Sequence, residues 1–286
     1  MSAMSVSVIV PAYNEAEGIG ELVARIRAIG PAFEIIVVDD GSSDATAERA
    51  GAAGAKVVVH AYNVGNGAAI KSGVRAASGD IVVFLDGDGQ HPPEEIPRLV
   101  AEIGAYDMVV GARTSASRTS RFRNVGNWAL CRLAEWISGH DIADLTSGFR
   151  AIRREPLLRF VHLFPNRYSY PTTITLAMFC SGYFIKYVPI DSITRRTSGT
   201  SNIRPFSDFF RFVNIMLRIV MLFSPQRIFG ILGAIVMAVG ALVSMLQLTL
   251  TGGIQATGVI LLVSSIFIIC FGLLAEQIAA LRREWH

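Results

Sequence analysis

The sequence predicts an α/β domain built on a mostly parallel sheet, followed by a pair of membrane-crossing helices. Three observations carry this. Short apolar runs of strand character alternate with amphipathic stretches through the first half of the chain. Three of those runs end in loops dense in carboxylate and amide side chains. Towards the C-terminus two long runs, 228–250 and 254–275, hold no charged residue.

Strands are expected at 6–10, 34–38, 56–60, 81–85 and 107–110, with helices at 18–29, 44–52, 67–77 and 94–103 between them. That order is the order of βαβ units, a parallel sheet with helices on both faces. Ser43-Asp44 can cap the second helix, and Pro92-Pro93 ahead of Glu94-Glu95 suits the start of the fourth, where acids meet the positive helix end.

The fourth apolar run, Ile81-Val82-Val83-Phe84-Leu85, leads straight into Asp86-Gly87-Asp88-Gly89-Gln90. Ligands of open α/β sheets sit at this end of the strands. If the extended geometry persists, Asp86, Asp88 and Gln90 point the same way and offer three oxygens to one hard cation. A divalent metal holding a diphosphate is the first expectation. Pro11-Ala12-Tyr13-Asn14-Glu15 and Asp39-Asp40-Gly41-Ser42-Ser43-Asp44 stand at the ends of the first two strands, so one pocket can collect all three loops. Asp39 and Asp44 have a competing role, shaping the turn and capping the helix.

Two other motif readings fail on spacing. An EF-hand counted from Asp86 needs an acid at its twelfth position, where Pro97 stands. The run from Gly65 to Ser72 is not a phosphate loop, because Ile70 and not glycine precedes Lys71. Lys71 can still reach a donor phosphate from its helix; a plain surface lysine is the alternative. His91, before two prolines, reads as a turn residue.

With 51% hydrophobic residues the 286-residue chain is too apolar for a typical soluble enzyme. Its net charge of +3 hides an asymmetry: 12 basic and 18 acidic residues through Asp144, then 14 basic and 5 acidic from Leu145 onward. Basic surface beside long apolar runs points to anionic headgroups or a lipid phosphate rather than to nucleic acid. Cys131, Cys180 and Cys270 lack metal-ligand spacing and read as reduced, buried or membrane residues. No charged-then-apolar leader opens the chain, so the first domain is expected in the cytosol.

From Arg113 to Arg132 there are five arginines, both ends included, and no acid, an anion-partner signal that competes with a plain solvated face, and a helix is expected through Ser138. Ser207, Arg211, Asn214 and Arg218 recur at i, i+4, i+7 and i+11 in a Phe-rich stretch, the pattern of a helix lying in a membrane interface. The run at 228–250 would be roughly 35 Å long as a helix, enough to cross a bilayer. Arg227 and Arg282-Arg283 flank a hairpin closed by Thr251-Gly252-Gly253, which places both ends in the cytosol. Gly230, Gly233, Gly240, Gly258 and Gly272 would let the two helices approach closely, and Glu276 belongs at the interface. The organisation expected is therefore a cytosolic domain over 1–204, a juxtamembrane amphipathic helix over 205–225 and a hairpin over 226–286.

The loops, taken as a series, resemble the inverting family-2 glycosyltransferases of GT-A fold, and within them the polyprenyl-phosphate glycosyltransferases that include dolichol-phosphate mannose synthases. The matching stretches are Val10 to Glu15, Val38 to Asp44, Asn63-Val64-Gly65-Asn66-Gly67, Asp86 to Glu94, Gly111-Ala112-Arg113, Asp144-Leu145-Thr146-Ser147-Gly148-Phe149-Arg150 and Arg196-Thr197-Ser198-Gly199-Thr200-Ser201, in family order. Gly89 departs from the pattern, standing where relatives often carry an aliphatic residue.

This resemblance implies a set of roles. Pro11, Tyr13, Glu15, Asp39 and Asp40 would take the nucleotide, Lys71 its phosphates, and Asp86 the ribose or the metal-bound diphosphate. Asp88 and Gln90, with Asp86 as a further ligand, would hold Mg²⁺ or Mn²⁺. Arg113, Arg121, Arg123, Ser147, Arg150 and Arg196 would face the acceptor phosphate, and Asp88, Arg113 and Arg196 would carry catalysis. The implied reaction moves one sugar from a GDP-mannose or UDP-glucose type donor to undecaprenyl or dolichyl phosphate at the cytosolic face of the inner membrane, with mannose favoured slightly. A homo-oligomer or a flippase is a further possible partner. A processive polysaccharide synthase is the alternative enzyme, opposed by the two spans and the missing Gln-x-x-Arg-Trp stretch. A silent membrane scaffold is the alternative outside enzymes, opposed by the intact Asp86, Asp88 and Gln90.

Overall fold

The computed structural model describes residues 4–87, 89, 91–113, 121–167, 169–190, 205–253 and 255–284, with the backbone alone at 121–129, 205–211, 251 and 282–284. The five apolar runs become β1 (Val6–Ala12), β2 (Glu34–Asp39), β3 (Lys56–Val59), β4 (Ile81–Phe84) and β5 (Met108–Arg113). The helices between them are α1 (Ile19–Ile29), α2 (Thr46–Ala52), α3 (Asn66–Ala76) and α4 (Ile96–Glu102), the last entered through a 3₁₀ turn at Pro93–Glu95. After β5 come α5 (Arg121–Ser138), β6 (Arg150–Arg153), α6 (Arg154–Phe160), α7 (Tyr170–Cys180) and β7 (Ile185–Ile190).

These residues form one seven-stranded sheet in the order β3-β2-β1-β4-β6-β5-β7. β1 pairs in parallel with β2 and β4, while β6 runs antiparallel to both β4 and β5. The expectation of a parallel sheet thus holds with one reversed strand. That strand matters for position, because its register sets Phe84 opposite Arg150 and brings the 144–149 loop to the end of β4. β4 is apolar along its length and β1 is apolar except for Ser7, and all of their residues but Pro11 are buried, as strands covered on both faces must be. Gly73 lets α3 close on β1, since a side chain there would meet Ile9.

Glu34 fastens the other edge of the sheet. Its carboxylate accepts from Ser7 Oγ at 2.5 Å, from Ser78 N at 2.8 Å and from Ser78 Oγ at 2.9 Å, and Lys56 Nζ stands 3.4 Å away. Burial alone would raise its pKa, but these donors outweigh burial and bring it down to about 2.

The chain divides into two compact units, Met1–Ile215 and Met216–His286, and the division falls inside α8 (Pro205–Phe223). The second unit holds α9 (Pro225–Thr251) and α10 (Ala256–Glu284), whose stretches Pro225–Leu250 and Ala256–Leu281 are long and apolar enough to cross a membrane. Pro225 opens α9 at a position where its missing N–H costs nothing. The next N–H, from Gln226, donates to Glu276 Oε2 at 3.3 Å, so the acid of α10 caps the start of α9. Four of the five expected glycines lie at the helix contact: side chains at Gly233, Gly240, Gly258 and Gly272 would meet Ile269, Leu261, Ser244 and Phe229. Gly230 does not, its nearest neighbour being Gln226 Nε2 at 4.0 Å.

Two outcomes are expected. Glu34 has a depressed pKa, so its stabilisation is present above the unfolded value near 4.5 and fades as pH falls towards 2. Glu34→Gln should remove on the order of 2–3 kcal/mol of that acid-sensitive stability, seen as a flatter loss of melting temperature between those pH values for the full chain in detergent. In the hairpin, Gly233→Leu should lower the melting temperature by about 5 °C through overpacking, while Gly230→Leu leaves it within about 1 °C. Equal effects of the two would contradict the packing described.

Candidate active site

The loops after β1 and β2 are stitched together by their own side chains. Asn14, held at a positive φ of 55°, accepts from Ser43 N at 2.9 Å, and its own N–H donates to Ser42 Oγ at 2.9 Å. Asp39 accepts from Ser42 N at 3.0 Å and from the Ser42 hydroxyl, and Asp44 receives the Thr46 and Ala16 amides. The Thr46 hydroxyl, with those amides, holds the Asp44 carboxyl below its ordinary range against the effect of burial. Asp39 and Asp44 therefore do shape the turn and the helix start. Gly41 is needed there because its φ is +74° and a side chain would meet the Tyr62 backbone. Tyr13 stands 48% exposed on the rim, the only aromatic of its loop.

Asp40 is placed differently from the expectation. It is 3% exposed, and its oxygens accept from Val64 N at 3.0 Å and Gly65 N at 2.7 Å and meet His60 Nδ1 at 2.7 Å. His60 Nε2 in turn meets Ser72 Oγ at 2.8 Å. Asp40 thus clamps the turn that opens α3. Lys71 is also engaged: Nζ donates to Phe164 O at 3.3 Å and to Asn166 Oδ1, tying the 164–166 loop to α3. Burial and the neighbouring Arg75 lower its pKa.

At the end of β4 the extended geometry stops at Phe84, Gly87 is a turn, and Gly89 has φ +67°. The alternate-position argument for Asp86, Asp88 and Gln90 therefore does not hold beyond the strand, and Asp88 and Gln90 themselves lie outside the described residues. Gly87 N donates to Pro11 O at 3.3 Å, which brings the ends of β4 and β1 together. Asp86 lines a cavity of about 160 Å³ with Asn66, Thr146, Gly148, Arg167 and Phe212, its floor being the start of α7. Gly148 is the close neighbour: a Cβ there would sit 2.6 Å from Asp86 Oδ2.

The 144–149 loop is held from within. Arg113 makes a two-pronged pair with Asp144, Nε to Oδ2 at 2.8 Å and Nη2 to Oδ1 at 3.0 Å, and Nη2 also donates to Thr146 Oγ1. Burial would raise the Asp144 pKa, but the guanidinium beside it keeps it below the carboxylate range; the same hydrogen bond raises that of Arg113. Ser147 is buried, donating to Gly111 O at 2.6 Å. Arg150 is fully buried, its guanidinium donating to Ser147 O, to Pro171 O at 3.2 Å and to Thr175 Oγ1 at 3.1 Å. Ser147 and Arg150, expected at the acceptor phosphate, thus build the wall of the cavity without facing it. Tyr170 OH donates to Gly148 O at 3.1 Å, and burial together with the Asp86 charge raises its pKa, so it stays a neutral phenol.

Arg121 and Arg123 lie on α5 where the backbone alone is described, and Arg196 lies outside the described residues. His91 is buried and stacks on Phe149 with ring centroids 5.4 Å apart, a packing role rather than a ligand role. Asn66, Thr146 and Gly148 sit in motifs visible in the sequence, but their direction into the cavity was not. Arg167 and Tyr170 carried no motif signal at all.

With this geometry in place, comparison with known proteins decides the family. The description "Glycosyl transferase family 2" matches residues 7–160, more than half of the chain. The chain belongs to glycosyl transferase family 2. A second description, "GtrB C-terminal hairpin", matches residues 224–281. An undecaprenyl-phosphate 4-deoxy-4-formamido-L-arabinose transferase of Pectobacterium carotovorum is 31% identical, over 96% of this chain and 88% of that protein. The Salmonella paratyphi A protein of that name is also 31% identical, over 98% and 89%. Among solved structures, glucosyl-3-phosphoglycerate synthase of Mycobacterium tuberculosis, in complex with Mn²⁺, UDP and phosphoglyceric acid, is similar with a TM-score of 0.61 and 26% identity, over 76% of this chain and 79% of that one. The fold of this family-2 glycosyltransferase is accordingly of the GT-A type.

Gly148→Ala separates geometry from stability at this site. The added methyl meets the far end of Asp86, which can swing aside, so the melting temperature should stay within about 2 °C while glycosyl transfer falls about 10²-fold or more. Unchanged transfer would show that the Asp86 position is immaterial.

Proposed function

We propose that this enzyme transfers a single sugar, with inversion, from a nucleotide-sugar donor to a polyprenyl phosphate of the undecaprenyl or dolichyl type, working at the cytosolic face of the inner membrane. The observation that carries this reading is the 31% identity to an undecaprenyl-phosphate sugar transferase along 96% of the chain, catalytic domain and hairpin alike. The relatives are named for an arabinose derivative, and the solved neighbour was complexed with UDP. A UDP-linked sugar is therefore our first donor, with GDP-mannose second.

In this reading Tyr13, Pro11, Glu15 and the edge of Asp39 receive the nucleotide, while Asp40 and Lys71 position the loops behind it. Asp86, Asp88 and Gln90 would hold Mg²⁺ or Mn²⁺. The donor set fits, since Asp86 brings a hard carboxylate oxygen to the cavity. Among the described residues no three His, Cys, Asp or Glu side chains stand together, so Asp88 and Gln90 have to complete the set. When bound, the ion supplies charge neutralisation at the diphosphate. Arg113 and Arg196, with Arg121 and Arg123, would face the acceptor. Arg113 reaches the cavity edge through Thr146, with Nη1 outside its bonds to Asp144.

The chemistry asks little of the protein in proton transfer. A phosphate monoester has a second pKa of about 6, so at neutral pH its oxygen is already an anion able to attack the anomeric carbon as the bond from that carbon to the nucleoside diphosphate breaks and the diphosphate leaves. The residues must instead bring two anionic groups together and exclude water. A long-chain acceptor stays in lipid, which accounts for the apolar hairpin attached to the catalytic domain. Arg227 at the start of α9 and Arg282 and Arg283 at the end of α10 support a cytosolic site by the positive-inside rule.

The test incubates the full chain in detergent with labelled UDP-sugars or GDP-mannose, a short polyprenyl phosphate and Mg²⁺ or Mn²⁺, and counts label in the organic phase. Lipid-linked product is expected from at least one donor, and Asp88→Ala should reduce it about 10³-fold with unchanged melting temperature. Absence of product from every donor would favour a silent scaffold, and near wild-type turnover in the variant would remove Asp88 from the mechanism.

A further inference from the structure

Three of the cations assigned to phosphate by motif, those whose side chains are described, are engaged elsewhere, which raises the question of what meets a phosphate at Asp86. Lys71 is bonded to Phe164 O and Asn166, Arg150 is fully buried, and Arg113 is locked on Asp144. The start of α3, which would otherwise present free amides to an anion, is also closed. Gly67 N donates to Arg167 O at 3.3 Å and Ala68 N to Asn166 O at 2.8 Å. Side chains at Gly65 and Gly67 would collide with the backbone of Pro165, Asn166 and Arg167, so both glycines serve this docking.

The same docking fixes the backbone of Arg167 while its side chain stays exposed and lines the cavity. Among the described residues that line it, Arg167 alone is basic and Asp86 alone is acidic. Ser169, which also lines the cavity, has a left-handed φ of 79° at the residue that precedes α7. Phe212 supplies an apolar wall to the same space. An anion entering beside a carboxylate needs a cation, and the phenyl face of Phe212 offers apolar contact to a hydrocarbon attached to that anion.

Building on the polyprenyl-phosphate reading above, we propose that Arg167 binds the phosphate monoester of the lipid acceptor at the Asp86 cavity. Lys71, Gly65 and Gly67 are positioning residues that hold its loop.

The experiment uses the full chain in detergent and measures binding of a short polyprenyl phosphate, of the matching prenyl alcohol, and of UDP, alongside steady-state transfer. In Arg167→Ala the dissociation constant and the KM for the polyprenyl phosphate should rise at least about tenfold, with UDP binding and donor KM within about twofold and prenyl alcohol binding unchanged. Arg167→Lys should restore part of the loss. Arg167→Gln, which keeps the length of the side chain, provides the same comparison if the alanine variant misfolds. Unchanged polyprenyl phosphate binding, or weakening of UDP alone or of both to the same degree, overturns the assignment. Wild-type protein that binds the lipid phosphate but transfers no sugar would defeat the functional reading, while the binding arm still decides Arg167.

Discussion

A guanidinium removed from water joins the two walls of the Asp86 cavity. Arg150 sits at the start of β6 with no exposed surface, and among the described residues no carboxylate is one of its hydrogen-bond partners. Burying a lone cation costs several kcal/mol unless its donors are satisfied. Here carbonyls of Ser147 and Pro171 and the hydroxyl of Thr175 do this, so the loop before β6 and the helix α7 cannot separate without exposing the charge to an unpaired interior. Burial opposes the charged form, and the charges on Asp144 and Asp86 favour it. The arginine that reads as a phosphate ligand in the motif is the beam on which Gly148 and Tyr170 are hung.

The carboxylates follow the same logic. Asp39, Asp40, Asp44 and Asp144 each accept backbone amides from a neighbouring turn, and each defines where a loop ends or a helix begins. A ligand-binding rim made of irregular backbone leaves many amides to satisfy, and short acids are the side chains that can reach them. Asp86 differs in lining the cavity, and Gly148 is the residue that leaves it room. These four aspartates are therefore architecture, and Asp86 stands apart from them at the cavity.

The alternation of apolar runs made β1 to β5 and α1 to α4 legible, because β1, β2, β4 and β5 are buried on both faces along most of their length, the edge strand β3 keeps an apolar run, and each helix buries one face. β6 was not legible: it is four residues long with arginine at both ends, Arg150 and Arg153, and looks like a charged turn. α7 hid for the opposite reason. Tyr170 to Phe179 are all buried, so the helix has no polar face and no period to detect. At the site, the motif loops were visible but the destination of each side chain was not. Asp40 and Lys71 meet partners 20 or more residues away, at His60, Gly65 and Asn166, and such pairings depend on how the loops dock. The glycines of the hairpin were readable because close helix contact in an apolar run demands small residues at that spacing, and Gly230 fell outside only because it lies off the contact face.

The excess of arginine and lysine beyond Leu145 suggested a basic surface facing lipid phosphate. The fold changes how that charge should be counted. A cation already paired or fully buried contributes little new attraction to an incoming anion, whereas two unit charges 4 Å apart at an effective dielectric near 20 interact by about 4 kcal/mol. An unscreened phosphate beside Asp86 would meet repulsion of that order. The relevant quantity is thus the number of cations whose side chains remain open to the cavity. Arg150 and Lys71 fail that criterion and Arg113 meets it only at one edge, while Arg167, held by its backbone and open at its tip, meets it in full. Rigid attachment of the main chain with a free guanidinium is what a site needs when its anionic ligand must be brought against an acid.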